Sequence, residues 1–113
     1  MTATAADPVT FAVSGDVRTA YRIAGKGPLL VLVHGAEADR TMFAGLVERL
    51  ADAFSVVAYD QRDSGRTENG DAAYALEELA DDLAGLIRHL IASGVDRRAH
   101  VYGTSFGGQI AQV

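Results

Sequence analysis

Val-Tyr-Gly-Thr-Ser-Phe-Gly-Gly, residues 101–108, is the stretch that decides the fold of this chain. A short β-rich run ends in this glycine-bracketed turn, and a helical pattern begins directly after it. The spacing Gly-x-Ser-x-Gly is typical of a sharp reversal from a strand into a helix. Gly103 and Gly107 suit such a reversal, because a larger side chain two residues before or after the serine would collide with the neighbouring strand or helix.

Ser105 at the centre of this turn is a candidate nucleophile. The helix that follows directs free N–H groups and the positive end of its dipole towards the serine. Attack on a carbonyl needs that field, because negative charge develops on the carbonyl oxygen. The alternative is a plain glycine-rich turn: with 12 glycines in the chain, chance gives about 0.05 matches to the pattern. The strand before the turn and the helix after it favour the nucleophile.

Composition limits the classes of function. The 113 residues allow one domain at most, and 49% of them are apolar with a formal net charge of −5. There is no basic cluster, so we expect neither nucleic acid nor a membrane as partner. There are no cysteines, which excludes disulfides, thiolate metal sites and cysteine nucleophiles. Neither a metal nor another cofactor is expected.

The apolar segments give no sign of export or membrane insertion. Met1 to Asp7 has no basic region and no apolar region, so no signal peptide is predicted. The longest aliphatic run, Leu29 to Val33, is too short to span a bilayer. A cytoplasmic location is therefore expected, and the sequence leaves the oligomeric state open.

Hydrophobic periodicity predicts an α/β fold. Two alternating stretches, Val9 to Val13 and Val17 to Ile23, flank a Ser-Gly-Asp turn and predict an antiparallel hairpin. Continuous apolar runs and helical patterns then alternate, which implies parallel strands with helices on both faces of the sheet. The predicted strands are Leu29 to Val33, Ser55 to Tyr59 and Ala99 to Tyr102, and the predicted helices are Thr41 to Ala53, Leu76 to about Ser93, and one from Phe106.

Three loops follow the three predicted parallel strands. They are His34-Gly35, the segment from Asp60 to Thr67, and Gly103 to Gly107. The carboxyl ends of parallel strands lie at one edge of a sheet, so a ligand site is expected where these loops meet.

These three loops, in this order, resemble the N-terminal part of the α/β-hydrolase fold, and the likeness runs from about Val9 to the end of the chain. His34-Gly35 is similar to the His-Gly loop of the family. Asp60 to Thr67 is similar to its Asp-x-Arg-Gly-x-Gly-x-Ser loop, except that Asp63 stands at the first glycine and Thr67 at the serine. Residues 1–113 would then be the first part of one such domain, with an incomplete sheet that lacks the later strands.

The resemblance implies a serine hydrolase. Ser105 would be the nucleophile that forms an acyl-enzyme, and the backbone N–H of Phe106 would be one oxyanion donor. The second donor would be the N–H of Ala36, with Glu37 as the second choice, while His34, Gly35, Gly103 and Gly107 would support the site. The implied substrate is a small molecule with an ester, thioester, lactone, amide or related bond.

The rest of a catalytic triad is missing from the sequence. In this family the acid and then the histidine follow the serine, and the eight residues after Ser105 contain no His, Asp or Glu. Either the chain belongs to a hydrolase that is active only with its remainder, or it is a non-catalytic fragment or interaction module. A relative that only binds a ligand is a weaker third alternative, since the nucleophile position is intact. An isolated chain would also leave the strand before Ser105 with an open edge.

Other titratable residues have local interpretations. His34 either acts as a substitute base or, as we favour, orders its loop. Asp60 and Asp63 either line the site or, as we favour, form loop-ordering salt bridges with Arg62 or Arg66. The remaining charged groups are interpreted as surface or remote from the serine: His89, His100, Asp81-Asp82 and Arg97-Arg98.

Overall fold

A computed structural model describes residues 8–95 and 98–112 of the chain. The predictions about Met1 to Asp7 and Arg97 fall outside the described residues. The elements, in chain order, are strands β1 (Thr10–Ser14), β2 (Val17–Ala24) and β3 (Leu29–Val33), a 3₁₀ helix (Arg40–Phe43), helix α1 (Ala44–Leu50), strand β4 (Ser55–Tyr59), helix α2 (Leu76–Ala92), strand β5 (Ala99–Gly103) and helix α3 (Phe106–Gln112).

The five strands form one mixed sheet in the order β1-β2-β4-β3-β5. β1 and β2 make the predicted antiparallel hairpin, and β2 also pairs antiparallel with β4. β3 pairs parallel with β4 on one side and with β5 on the other. The predicted fold class, a hairpin followed by parallel strands alternating with helices in an incomplete sheet, is confirmed.

The central strands are apolar along their whole length because each face of the sheet carries helices. On one face, Val31, Val33 and Val57 pack with the leucines of α2 and with Ile110 of α3. On the other face, Leu32, Val56 and Ala58 pack with Phe43 and Val47. Successive residues of a strand point to opposite faces, so a strand buried on both faces needs a continuous apolar run.

Two elements differ from the sequence-based expectation. The predicted helix from Thr41 to Ala53 is divided into a 3₁₀ helix and α1, and it ends at Leu50. In β1 the core side chain is Ala12, whereas Val13 is exposed. Phe11 and Val13 share the face of β1 that points away from the core, where the guanidinium groups of Arg18 and Arg66 lie over the Phe11 ring.

The strand that precedes Ser105 lies at one end of the sheet. β5 pairs only with β3 within the described residues, as the predicted open edge requires. Its residues Val101 and Tyr102 are exposed, and Tyr102 borders an apolar hollow with Leu30, Leu32, Leu46 and Leu50. In the ranges that the structure covers, no helix is long and apolar enough to cross a bilayer.

Candidate active site

The loops after β3, β4 and β5 meet at the carboxyl edge of the parallel strands. Gln61, which follows β4, forms a hydrogen bond with His34, which follows β3. Gly35 lies against Ser105, because a Cβ built on Gly35 would be 3.7 Å from the Ser105 Cβ. Each loop also holds one non-glycine residue with positive φ: Glu37 at 60°, Asp63 at 60° and Ser105 at 54°. Such strained positions cluster at functional sites, because the surrounding structure must hold them in place.

Ser105 sits in the sharp turn that its sequence pattern predicts. β5 ends at Gly103 and α3 begins at Phe106, so only two residues separate strand from helix. The N–H of Gly107 donates to the carbonyl oxygen of Thr104 at 2.8 Å, which closes the turn. This hydrogen bond spans Ser105 and helps to hold its backbone in the left-handed conformation at the start of α3.

The two flanking glycines are required by close backbone contacts. A Cβ on Gly103 would lie 2.4 Å from the carbonyl oxygen of Gly107, and a Cβ on Gly107 would lie 2.2 Å from the carbonyl oxygen of Val33. Both distances are far below van der Waals contact. The turn from β5 into α3 around Ser105, called the elbow from here on, can therefore bring α3 this close to β5 and β3 only with glycine at both positions.

Ser105 is exposed, and Gly35, which packs against it, lines a cavity of about 290 Å³. Phe106, the next residue, lines this cavity, and as the first residue of α3 it has no acceptor for its N–H within the helix. No hydrogen bond to that N–H, or to the N–H of Ala36, is formed in the described part of the chain. The cavity lining comprises His34, Gly35, Ala36, Glu37, Gln61, Arg62, Asp63, Ser64, Tyr74, Leu79 and Phe106.

His34 is buried, with 1% of its surface exposed, and both ring nitrogens are engaged. The backbone N–H of Gln61 donates to Nε2 at 3.1 Å, so the proton is on Nδ1, which donates to the carbonyl oxygen of Gly35 at 2.8 Å. The side-chain amide of Gln61 donates to the His34 carbonyl oxygen at 2.7 Å. His34 therefore orders the loop and has no free lone pair for a proton from Ser105, which favours the ordering role over that of a base.

Gln61 has a structural role that the sequence pattern does not reveal. Its contacts with His34 join the loops after β3 and β4, yet a glutamine in a polar loop carries no distinguishing signal. The proximity follows from the parallel pairing of β3 with β4, which places His34 and Gln61 at the same edge of the sheet.

Asp60 orders the second loop, but with a different partner from the one predicted. It is fully buried and forms an ion pair with Arg40, at 2.5 Å between Oδ2 and Nη1, and it also accepts the backbone N–H groups of Arg40 and Arg66. The expected salt bridge to the side chain of Arg62 or Arg66 is wrong, because the 3₁₀ helix brings Arg40 to this end of β4. Gly65, with φ of 49°, leaves space for the carboxylate, since a Cβ there would lie 2.3 Å from Asp60 Oδ2.

Thr67 takes over the role of a serine hydroxyl. Its Oγ1 donates to the Asp60 carbonyl oxygen at 2.7 Å and accepts the N–H of Ala20 at 2.9 Å. Both bonds need only a hydroxyl on Cβ. The departure from the serine of the family pattern therefore leaves the anchoring of this loop to β2 intact.

Arg62 and Asp82 form the second ion pair near the cavity. Arg62 donates to the Asp82 carboxylate from Nε at 2.7 Å and from Nη2 at 3.1 Å, and this hydrogen bonding raises the pKa of Arg62. The interpretation of Asp82 as an ordinary solvated charge is wrong, because α2 packs beside the loop that carries Arg62. Asp81 is exposed, as expected.

In the described structure, Asp63 forms no salt bridge with Arg62 or Arg66. Its side chain forms hydrogen bonds with other residues instead. Its carboxylate accepts the hydroxyl of Tyr74 at 2.8 Å and the side-chain amide of Asn69 at 3.1 Å. These hydrogen bonds lower the pKa of Asp63, and the Asp63 contact raises the pKa of the Tyr74 phenol. Tyr74 and Asn69 are site residues that sequence reasoning missed.

The other two histidines lie away from the cavity. His89 is exposed on α2 and stands edge-on to Tyr21, with the ring centroids 6.2 Å apart. His100 is the second residue of β5, three positions before Gly103 and at the opposite end of the strand from Ser105. In the described ranges no histidine forms a hydrogen bond with the Ser105 hydroxyl.

The chemistry available here is nucleophilic and electrostatic. A serine lies at the N-terminus of a helix, near backbone N–H groups that are free to donate to a negatively charged oxygen. No cluster of three or more potential metal ligands occurs among the described residues.

Known proteins are similar to this chain in sequence and in fold. The model of the alpha/beta hydrolase family matches residues 30–112. A 2-(acetamidomethylene)succinate hydrolase from Mesorhizobium japonicum is 38% identical over 76 residues, which cover 67% of this chain and 27% of that protein.

Solved structures of hydrolases superpose on this chain. A hydrolase from Pseudomonas aeruginosa superposes with a TM-score of 0.83 at 31% identity, over 95% of this chain and 40% of that one. A thermophilic esterase from Thermogutta terrifontis superposes with a TM-score of 0.79 at 34% identity, over 92% of this chain and 39% of that one. The chain thus spans well under half the length of these relatives.

The sheet order, the strained serine between β5 and α3, and the match of the family model over most of the chain lead to one assignment. This chain belongs to the alpha/beta hydrolase family.

Proposed function

We propose that this chain supplies the nucleophile and the oxyanion hole of a serine hydrolase that cleaves a small-molecule acyl bond through an acyl-enzyme. The observation that carries the proposal is the conformation of Ser105. Its φ of 54° is held between two glycines that tolerate no Cβ, and the residue is exposed at the start of α3, next to Phe106, which lines the cavity. A turn without a catalytic role has no need of this strain.

Each residue has a defined part in the reaction. The Ser105 oxygen attacks the carbonyl carbon while its proton passes to a general base. The carbonyl oxygen becomes an oxyanion that accepts hydrogen bonds from the N–H groups of Phe106 and Ala36, and loss of one such donor typically costs about 3–4 kcal/mol of transition-state stabilisation. The leaving group takes the proton, and water then hydrolyses the acyl ester to regenerate the Ser105 hydroxyl.

We further propose that the general base and its orienting carboxylate come from residues that follow Val113 in the whole protein. His34 has its Nε2 lone pair occupied by Gln61, so it is unsuited to accept the Ser105 proton. The relatives are more than twice as long as this chain, which leaves ample length for an acid and a histidine.

The substrate class follows from the serine nucleophile and from the relatives. An alcohol nucleophile with an oxyanion hole serves esters, thioesters, lactones and amides. One relative is a 2-(acetamidomethylene)succinate hydrolase and another is an esterase. We propose an ester, lactone or amide of a small molecule as the substrate.

Fluorophosphonate labelling tests this function. We expect the whole protein, including the residues that follow Val113, to form a covalent adduct at Ser105, found by peptide mass spectrometry, and the adduct to be absent from Ser105→Ala. Ser64→Ala is the matched control, because Ser64 lines the same cavity without occupying the elbow, and it should label at the wild-type rate. A folded protein that resists labelling would support the alternative, a non-catalytic module.

The coding sequence after Val113 gives an independent check. An acid followed by a histidine is expected downstream, in the order that the family uses. A stop codon directly after Val113 would instead favour the fragment.

A further inference from the structure

Tyr74 is held on two sides where it lines the cavity beside Phe106. Its hydroxyl donates to Asp63 Oδ2 at 2.8 Å, and the Arg62 guanidinium carbon lies 5.4 Å from the centroid of its ring. A tyrosine fixed at both its hydroxyl and its ring face has little freedom to change rotamer. Its ring is therefore a rigid part of the cavity wall.

The carboxylate that holds Tyr74 is itself fixed. The backbone N–H of Asp63 donates to Asn69 Oδ1 at 2.9 Å, and Asn69 Nδ2 donates back to Asp63 Oδ1 at 3.1 Å. This reciprocal pair uses one carboxylate oxygen and leaves the other for Tyr74. The φ of 60° at Asp63 directs the side chain towards both partners.

The Arg62 guanidinium that lies over the Tyr74 ring is fixed to α2. Arg62 makes two hydrogen bonds to the carboxylate of Asp82, which anchors its guanidinium plane on that helix. A planar guanidinium held in this way is a stable platform for an aromatic ring. Asp63 and Arg62, both in the loop after β4, thus hold Tyr74, and α2 fixes Arg62 through Asp82.

A glycine at position 63, as in the family pattern that this loop resembles, would satisfy the backbone conformation but would offer no acceptor to Tyr74. We propose that Asp63 is a positioning residue that holds Tyr74 as a fixed wall of the cavity and thereby limits the size of the group admitted beside Ser105. The proposal rests on the proposed function for the role of Ser105, and it adds a determinant of substrate size.

Two probes of different bulk test the size limit. The rate of Ser105 labelling is measured with an ethyl and with a branched, bulky fluorophosphonate in Asp63→Gly, Asp63→Asn and Tyr74→Phe. Glycine and asparagine both tolerate positive φ, so neither variant adds backbone strain. Loss of the hydrogen bond between Asp63 and Tyr74 should raise the ratio of bulky to small labelling about twofold to tenfold in Asp63→Gly and in Tyr74→Phe.

The pattern among variants separates positioning from general damage. The double variant Asp63→Gly, Tyr74→Phe should match the single ones, because both remove the same contact. Asp63→Asn should stay near the wild-type ratio, since its side-chain carbonyl oxygen keeps one acceptor for the Tyr74 hydroxyl. Asp81→Asn, an exposed aspartate on α2, is the control. A ratio unchanged in Asp63→Gly, or additive effects in the double variant, would overturn the proposal.

A second readout is independent of catalysis. NMR of ¹³C-labelled tyrosine gives the pKa of the Tyr74 phenol, which the Asp63 carboxylate raises. Asp63→Asn should lower that pKa, and Asp63→Gly should also speed the flipping of the ring. If Ser105 labels with neither probe, the proposed function fails, and the positioning of Tyr74 by Asp63 is then tested by the Tyr74 pKa and the rate of ring flipping. An unchanged Tyr74 pKa in Asp63→Asn would refute the positioning role of Asp63.

Discussion

Glu37, Asp63 and Ser105 hold their backbone in the left-handed region, one in each loop at the carboxyl edge of the parallel strands. The left-handed conformation costs a non-glycine residue roughly 1–2 kcal/mol. Three such residues at one edge, and glycines where no side chain fits, indicate that this edge is shaped for a purpose other than stability.

Gly107→Ala tests the steric requirement of the elbow. The new Cβ would lie 2.2 Å from the Val33 carbonyl oxygen, a backbone atom that cannot move aside without moving β3. We expect the free energy of unfolding, measured by urea titration, to fall by about 3 kcal/mol or more. Gly108→Ala is the matched control on the same helix, because its Cβ would approach nothing closer than 3.5 Å. It should be neutral or stabilising by up to about 1 kcal/mol, and equal losses in both variants would contradict the explanation.

Asp60→Asn tests the buried ion pair beneath the second loop. Asp60 and Arg40 expose 0% and 4% of their side chains, so the substitution removes the carboxylate partner of a buried guanidinium. A loss of about 3–5 kcal/mol of unfolding free energy is expected. Glu68→Gln breaks the exposed pair with Arg18, whose side chains are 65% and 46% exposed, and should cost at most about 1 kcal/mol. Similar losses in the two variants would show that burial does not govern this pair.

At the scale of elements, the 3₁₀ helix Arg40–Phe43 depends on its N-terminal cap. The Asp39 carboxylate accepts hydrogen bonds from the Thr41 hydroxyl and, at 2.9 Å, from the backbone N–H of Thr41. Both bonds lower the pKa of Asp39, and the bond from the hydroxyl has the larger effect. Asp39→Ala should reduce the unfolding free energy by about 1 kcal/mol at neutral pH, and Asp39→Asn by less, since asparagine is also a good cap.

The cap also predicts a dependence on pH. A carboxyl group with a lowered folded-state pKa stabilises the fold above its unfolded pKa, near 3.8, and loses that contribution as the pH falls through the folded-state value. The difference in unfolding free energy between wild type and Asp39→Ala should therefore be constant near neutral pH and shrink below pH 3.8. Acid titration of both proteins, followed by urea unfolding, measures it. A difference that grew on acidification would have the wrong sign.

The elements could largely be predicted from the sequence because each leaves a local pattern. Leu79, Leu83, Leu86 and Leu90 have helical spacing and are buried together, and the aliphatic runs of β3 and β4 are buried on both faces. The division between the 3₁₀ helix and α1 leaves no such pattern. The 3₁₀ helix begins at Arg40, which is fixed to Asp60 by its backbone N–H and by its side chain, a contact across 20 residues.

At the scale of the whole molecule, pairings between loops depend on the strand order. The elbow was predictable because its glycines and serine are neighbours in sequence. The partners Arg62–Asp82 and Asp63–Tyr74 join separate elements, and many charged residues in this chain are equally plausible partners when only the sequence is known. Packing of α2 against the sheet selects among them.

The open edge of the sheet should govern how the 113-residue chain behaves alone. β5 offers an unpaired edge, and Tyr102, 50% exposed, borders an apolar hollow. We expect concentration-dependent self-association in sedimentation velocity, reduced by Tyr102→Lys because lysine on an edge strand opposes pairing. Ile23→Lys, at a 38% exposed position on the inner strand β2, should leave association unchanged. A monomer at all concentrations would refute this expectation.

The central claim is that Ser105 is presented as a nucleophile next to two converging amide hydrogens. The most direct measurement is a crystal structure of the protein after reaction with a fluorophosphonate. The account expects phosphorus bonded to Ser105 Oγ, with the phosphonyl oxygen about 2.7–3.1 Å from the backbone nitrogens of Phe106 and Ala36. An adduct on another residue, or a phosphonyl oxygen directed away from both amides, would contradict it.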